Sequence, residues 1–224
     1  MTNQSFTFRL MSYNILDGGY GRKSQLTKII RTVNPHVVIL CEVMKPAVLK
    51  QMADDLGMVY RLANGKENSR KVGILSRVPI IASHSFRPFW GAMQHWLEVT
   101  IHLANDMLLT VYCIHAIAFH TWFCERWRHA EYQGLLRHIH EKEDHPHVIG
   151  GDFNALMPHD KATLKGAPLW VQAQAWFQGG HLMRRALQVF TEANYTDCFR
   201  YLNPDEDGST MPALQPTCRL DYML

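Results

Sequence analysis

Five polar side chains stand where apolar runs give out. Asn14 follows "RLMSY", Glu42 follows "HVVILC", His115 follows "LLTVYCI", and Asp152 and Asn154 follow "HVIGG". Strands emerging from a buried sheet are rigid supports with open tips, so side chains at their ends are well placed to build a site. A carboxylate directly after an apolar run needs a partner, because burying an unpaired charge is costly. Glu42 and Asp152 therefore read as ligands for a hard cation or as members of a hydrogen-bonded network. Plainer readings exist for each position taken alone. Asn14 suits a turn, Glu42 suits the first turn of a following helix, and His115 suits a packed, hydrogen-bonded histidine. In "GGDFN" the two glycines permit a sharp turn, and Asp-x-Asn sends two polar groups to one side of an extended segment, yet turn chemistry alone could account for it.

The elements that must position these residues follow from periodicity. "FTFRLMSY" (6–13) reads as a strand and "GGYGRK" as a loop. A helix capped by Ser24 runs through Val33 with Leu26, Ile29, Ile30 and Val33 at helical spacing, and Asn34-Pro35 ends it. His36 to Val43 is a buried strand. Pro46 opens a second helix to about Leu56. Strand-like runs crowd together at 72–76, 79–86, 95–103 and 107–116, the last two joined by a turn at Asn105-Asp106 as an antiparallel hairpin. A long helix spans about Trp122 to Glu141. "HPHVIGGDFN" is a strand entering a loop, 155–180 is irregular, 181–193 is a helix, and most of 195–217 is loop before a closing strand from Leu220. Helix–strand units mixed with hairpins, with no Pro-, Gly- or Ser-rich linker between them, predict one α+β domain over residues 1–224, with two packed sheets and helices outside.

Composition narrows the function classes. The formal net charge of +3 over 224 residues is compatible with a phosphate-bearing substrate but far from that of a non-specific DNA coat protein. The five cysteines are odd in number and contain no CxxC pair, which argues against a disulfide framework or zinc knuckle and for a reducing compartment. No basic and apolar leader is visible at the N-terminus and no run of about 18 apolar residues occurs. The expectation is a cytoplasmic monomer with no integral membrane segment.

Six segments in order, "MSYNIL" (11–16), "VVILCEV" (37–43), "GILSRVPI" (73–80), "VYCIHA" (111–116), "HVIGGDFNA" (147–155) and "CRLDYML" (218–224), resemble the successive motifs of the endonuclease/exonuclease/phosphatase superfamily, the DNase-I-like fold. The resemblance spans essentially the whole chain, and "GGDFN" and "RLDY" are its most specific pieces. It implies a four-layer αββα sandwich and Mg2+-dependent hydrolysis of a phosphoester, with Mn2+ as a substitute. It assigns Glu42 as principal metal ligand with Asn14 beside it. Asp152 would orient or deprotonate the attacking water, and Asn154 would position that water or the phosphate. His115 would donate to a non-bridging phosphate oxygen, and Asp221 would orient a histidine. Metal and donors together would stabilise a highly charged transition state.

Two departures qualify the carry-over. Cys41 stands where the family usually has Gln before the metal-binding Glu. The family closes with Ser-Asp-His some tens of residues after "RLDY", its Asp completing the metal site and its His pairing with the "RLDY" Asp. These 224 residues contain no such segment, so the domain is expected to be C-terminally incomplete and Asp221 to lack its partner. Among His115, His120, His129 and His147, none sits in a motif that marks a substitute, and His145 and His147 read as lying at the far end of their strand.

The substrate is less sharply written. "GGYGRK" and "NGKENSRK" (64–71) are basic loops that either contact phosphates or are simply solvated. Aromatic clusters at 86–96, 119–123 and 167–177 could stack on bases or enter a lipid interface, but read first as core residues under long loops. The leading expectation is a nuclease-like phosphodiesterase acting on nucleic acid, with little or no hydrolysis by these 224 residues because the closing Ser-Asp-His is absent. The alternatives are a silent module that binds a phosphorylated ligand, and a phosphatase or phosphodiesterase for an inositol phosphate or phospholipid.

Overall fold

The computed structural model describes residues 7–104, 107–142, 146–177, 179–180, 182–212 and 214–224. The strands are β1 (Leu10–Asn14), β2 (Val37–Val43), β3 (Val59–Leu62), β4 (Lys71–Ser76), β5 (Ile80–Phe86), β6 (Trp96–His102), β7 (Leu108–His115), β8 (His147–Asp152) and β9 (Asp221–Met223). The helices are α1 (Lys23–Val33), α2 (Pro46–Leu56), α3 (Trp122–His140), α4 (Leu169–Phe177), α5 (Gln188–Glu192) and α6 (Cys198–Leu202). Hydrogen bonding orders one sheet β1-β2-β4-β3 and the other β5-β6-β7-β8-β9. The first sheet is mixed: β1 runs parallel to β2, while β4 is antiparallel to both β2 and β3. The chain thus has the two-sheet α+β fold that the sequence implies.

The chain gathers into two compact units. One comprises Met1–Phe86, His95–Ile114 and His145–Gly151; the other comprises Arg87–Gln94, His115–Asp144 and Asp152–Leu224. In the first unit β2 is buried along its whole length, which explains its unbroken apolar run. Pleating divides its side chains. Val38, Leu40 and Val43 join Leu26 and Ile30 of α1 and Leu49, Met52 and Leu56 of α2 in one core. Cys41 points to the opposite face, where its Sγ donates to the Ile114 carbonyl at 3.4 Å. The residue standing in place of the family's Gln therefore ties β2 to the end of β7. Hairpin β6–β7 is antiparallel, with Leu97 opposite Cys113 and His102 opposite Leu108. Its expected turn at Asn105-Asp106 lies outside the described residues, as does His145; His147 opens β8.

In the second unit α3 begins at Thr121, whose side chain accepts from the Cys124 N–H. Tyr132 of α3, Phe153, Phe190 and Tyr222 pack as a chain of tilted and edge-to-face rings. Several expectations change here. The span 155–180 contains a helix, α4, and the helix expected over 181–193 is confined to Gln188–Glu192. The cause of the shortening is on α3: Glu125 Oε1 accepts from the N–H groups of Arg185 and Ala186 at 2.7 and 2.8 Å. Residue 185 thus donates to a side chain instead of to a preceding turn. In the first unit, α1 starts one residue before Ser24; its cap is Arg22, with no side-chain capping bond, and Ser24 bonds Gln25 instead.

The aromatic clusters also differ from expectation. Phe86 and Trp96 are buried, but Trp90, Phe119, Trp122, Phe123, Trp176 and Phe177 are exposed.

Candidate active site

In the first unit the site begins with an irregularity in β2. The register against β4 shifts between Leu40 and Val43, and Glu42, within that bulge, takes a φ of 66°. Such a conformation is uncommon for a residue with a Cβ and needs the surroundings to hold it. They do so through the carboxylate. Glu42 Oε1 accepts from Asn14 Nδ2 at 3.2 Å, and Oε2 accepts from the Asp17 N–H at 2.7 Å. Asn14, at the end of β1 opposite Cys41, in turn accepts the Leu16 N–H on Oδ1 at 2.9 Å. Leu16 and Asp17 also have positive φ, 50° and 48°. The structure therefore brings Asn14 and Glu42 together and shows that Asn14 orients the carboxylate.

Two residues of this cluster escape the sequence reading. Arg70 Nε donates to Asp17 Oδ1 at 2.9 Å and lies 3.2 Å from Glu42 Oε2, while its Nη2 lies 2.5 Å from Asp17 Oδ1. Asp17, and more weakly Glu42, hold the Arg70 proton more tightly than usual, against the effect of burial. Arg70 falls in the basic loop 64–71 and Asp17 precedes "GGYGRK", so the signal available was a charged loop next to a motif.

The donor set suits a hard cation. Both carboxylates offer oxygen, and they already converge on one positive group. Among the described residues no cluster of three His, Cys, Asp or Glu surrounds a common point. Mg2+ is compatible with so few protein ligands because it retains several waters.

In the second unit His115, Asp152, Asn154 and Asp221 lie at the ends of β7, β8 and β9. The Ala116 N–H donates to the Asp152 carbonyl at 3.0 Å, and the Phe153 N–H donates to the Leu220 carbonyl at 2.8 Å. His115 Nε2 stands 4.0 Å from Asp152 Oδ2, beyond hydrogen-bonding distance but close enough for strong electrostatic influence. Asn154, with φ 48°, donates its N–H to Asp152 Oδ1 at 2.9 Å and its Nδ2 to the Ala116 carbonyl at 3.0 Å. Its observed work is to fix the Asp152 side chain and the turn that carries it.

Asp221 is strongly perturbed. Its Oδ1 is shielded from solvent and has no hydrogen-bond partner among the described residues. Burial first, and then the Asp152 charge, push its carboxyl up to about 7, against a bond from Thr210 and the field of His115. The strand bearing Asp221 is pinned on both sides. Arg219 donates to Asp160 at 3.0 and 2.9 Å and to both oxygens of Asp197, and its guanidinium lies 4.4 Å over the Tyr222 ring. The Tyr222 hydroxyl donates to Asp160 at 2.9 Å. His120 is buried and its ring is driven down to about 4, by burial and then by Arg128, so it is neutral at physiological pH.

With this geometry in place, comparison with known proteins adds the relationship. The profile of the endonuclease/exonuclease/phosphatase family matches residues 11–224. The chain belongs to that family. No curated protein matches it in sequence. Solved structures resemble it in fold. D. rerio TDP2 complexed with a single-strand DNA product superposes with a TM-score of 0.64 at 18% identity, over 96% of this chain and 82% of that one. The human Nocturnin catalytic domain with bound sulfate gives 0.66 at 20%, over 96% and 80%. The Neisseria 3' phosphatase NExo bound to a product DNA hairpin gives 0.63 at 16%, over 97% and 86%.

Proposed function

We propose that this family member is a Mg2+-dependent phosphoesterase whose substrate is a nucleic-acid phosphodiester. The observation that carries the reading is the Glu42 carboxylate. It is held at a strained backbone position by Asn14 and the Asp17 N–H, beside a second carboxylate, as a cation ligand must be held before the cation arrives. Glu42 and Asp17 would hold the ion, with Asn14 fixing Glu42. Bound Mg2+ supplies positive charge to phosphate oxygens as negative charge builds on them. Asp152, oriented by the Asn154 N–H, accepts a proton from the attacking water. His115 donates to a phosphate oxygen. Asp221, with its raised proton affinity, acts as the acid. Nucleic acid is favoured over an inositol phosphate because two structures of like fold hold DNA products and because exposed aromatic rings near residues 119–123 and 170–177 offer stacking surfaces.

The test is hydrolysis by the purified chain with Mg2+, on an oligonucleotide and on an inositol phosphate. Glu42→Ala and Asp152→Ala should each lower oligonucleotide turnover by about 100-fold or more. Turnover confined to the inositol phosphate would overturn the substrate. Absence of turnover on both, with a phosphorylated ligand still bound, would make the chain a silent binding module.

A further inference from the structure

Arg70 has no role in the reading above, yet it contacts both carboxylates of the first unit's cluster. We propose that Arg70 is the resident counter-ion of the Asp17–Glu42 pair, and that it yields to a divalent cation and then serves the substrate phosphate. This rests on the metal-dependent reading of the site.

The geometry sets the two states against each other. One guanidinium reaches Asp17 Oδ1 and Glu42 Oε2 at 2.5–3.2 Å, so it lies where a cation shared by the two carboxylates would have to sit. Guanidinium remains charged at any working pH, so only displacement removes it. Displacement is feasible because the Arg70 side chain is 51% exposed, whereas Glu42 is 11% exposed and cannot follow. The Glu42 carboxylate stays in place because the Asp17 N–H clamps it directly. Without a counter-ion two adjacent carboxylates repel each other, and Arg70 neutralises that repulsion in the metal-free protein. Once released, a planar five-donor group close to the cation is matched to phosphate oxygens. Arg70 would thus restrain cation affinity and support substrate affinity, two effects of opposite sign. A purely structural clip would show neither.

Calorimetric titration of the full chain with Mn2+ and with Mg2+ tests this, alongside Arg70→Ala, Arg70→Lys and Glu42→Gln, each first checked for a cooperative melt. Arg70→Ala should tighten cation binding by roughly two- to tenfold, the scale of a partly exposed ion pair, while raising the KM for an oligonucleotide. Arg70→Lys should keep cation affinity near that of the parent. If Glu42→Gln abolishes cation binding but Arg70→Ala leaves it unchanged or weakened, the inference fails and the metal-dependent reading stands. If neither the parent nor Arg70→Ala binds either ion, the metal-dependent reading fails and takes the inference with it.

Discussion

At Asp221 a single proton links stability to the chemistry of the site. An aspartate in the unfolded chain ionises near 4, whereas burial and Asp152 raise the folded carboxyl to about 7. Between those values the folded protein holds a proton that the unfolded chain has released. Stability therefore falls as pH rises from about 4, and the penalty is complete above about 7. Asp221→Asn removes the ionisation while keeping the shape. It should leave stability near pH 4 almost unchanged and raise it at pH 8 by on the order of 1–3 kcal/mol, measured by denaturant melts at the two pH values. Glu131, raised to about 7 by burial, adds slope of the same sign. His120, lowered to about 4, adds slope of the opposite sign between about 4 and 6.5. The difference between parent and variant, more than the parent's own profile, isolates Asp221. An unchanged stability at pH 8 would show that the folded carboxyl ionises without cost.

At the scale of elements, tight approaches decide what can change. Gly134 lies within α3, and a Cβ built there would meet the Pro88 carbonyl oxygen at 1.9 Å. Gly134→Ala should therefore lose about 2–4 kcal/mol despite the higher helix propensity of alanine, read as a lowered melting temperature; a stabilised variant would contradict the contact. The same scale shows what the sequence could disclose. β2 and α2 were legible because one is a continuous apolar run and the other opens on Pro46 and closes at Gly57 in a left-handed turn. The span 181–193 was not, since its helical spacing says nothing of Glu125, some 60 residues earlier, which takes its N–H groups. Strand ends singled out Asn14, Glu42, His115, Asp152 and Asn154 as candidates, whereas Asp221 entered only through the family resemblance. Arg70 and Asp17 were hidden because a charged loop residue looks the same in sequence whether it faces solvent or a carboxylate.

Across the whole molecule the cysteines are unequally placed. All five are thiols; Cys41, Cys113, Cys124 and Cys218 are buried, and Cys198 is exposed at the start of α6. Burial pushes the thiols of Cys113, Cys218 and Cys198 all upward, Cys218 to about 11, so it is exposure that sets Cys198 apart. The folded chain should thus take up one equivalent of maleimide near neutral pH and the unfolded chain five, counted by intact mass. More than one rapid equivalent under native conditions would mean that a buried cysteine is reached by local opening. The Cys198 position carries a practical gift. Its neighbour Asp197 caps α6 through the Arg200 N–H and also grips Arg219, two residues before Asp221. A fluorophore attached at that one sulfur would sit at the outer end of the chain of contacts that steadies the Asp221 strand, and could report on that strand without any engineered residue.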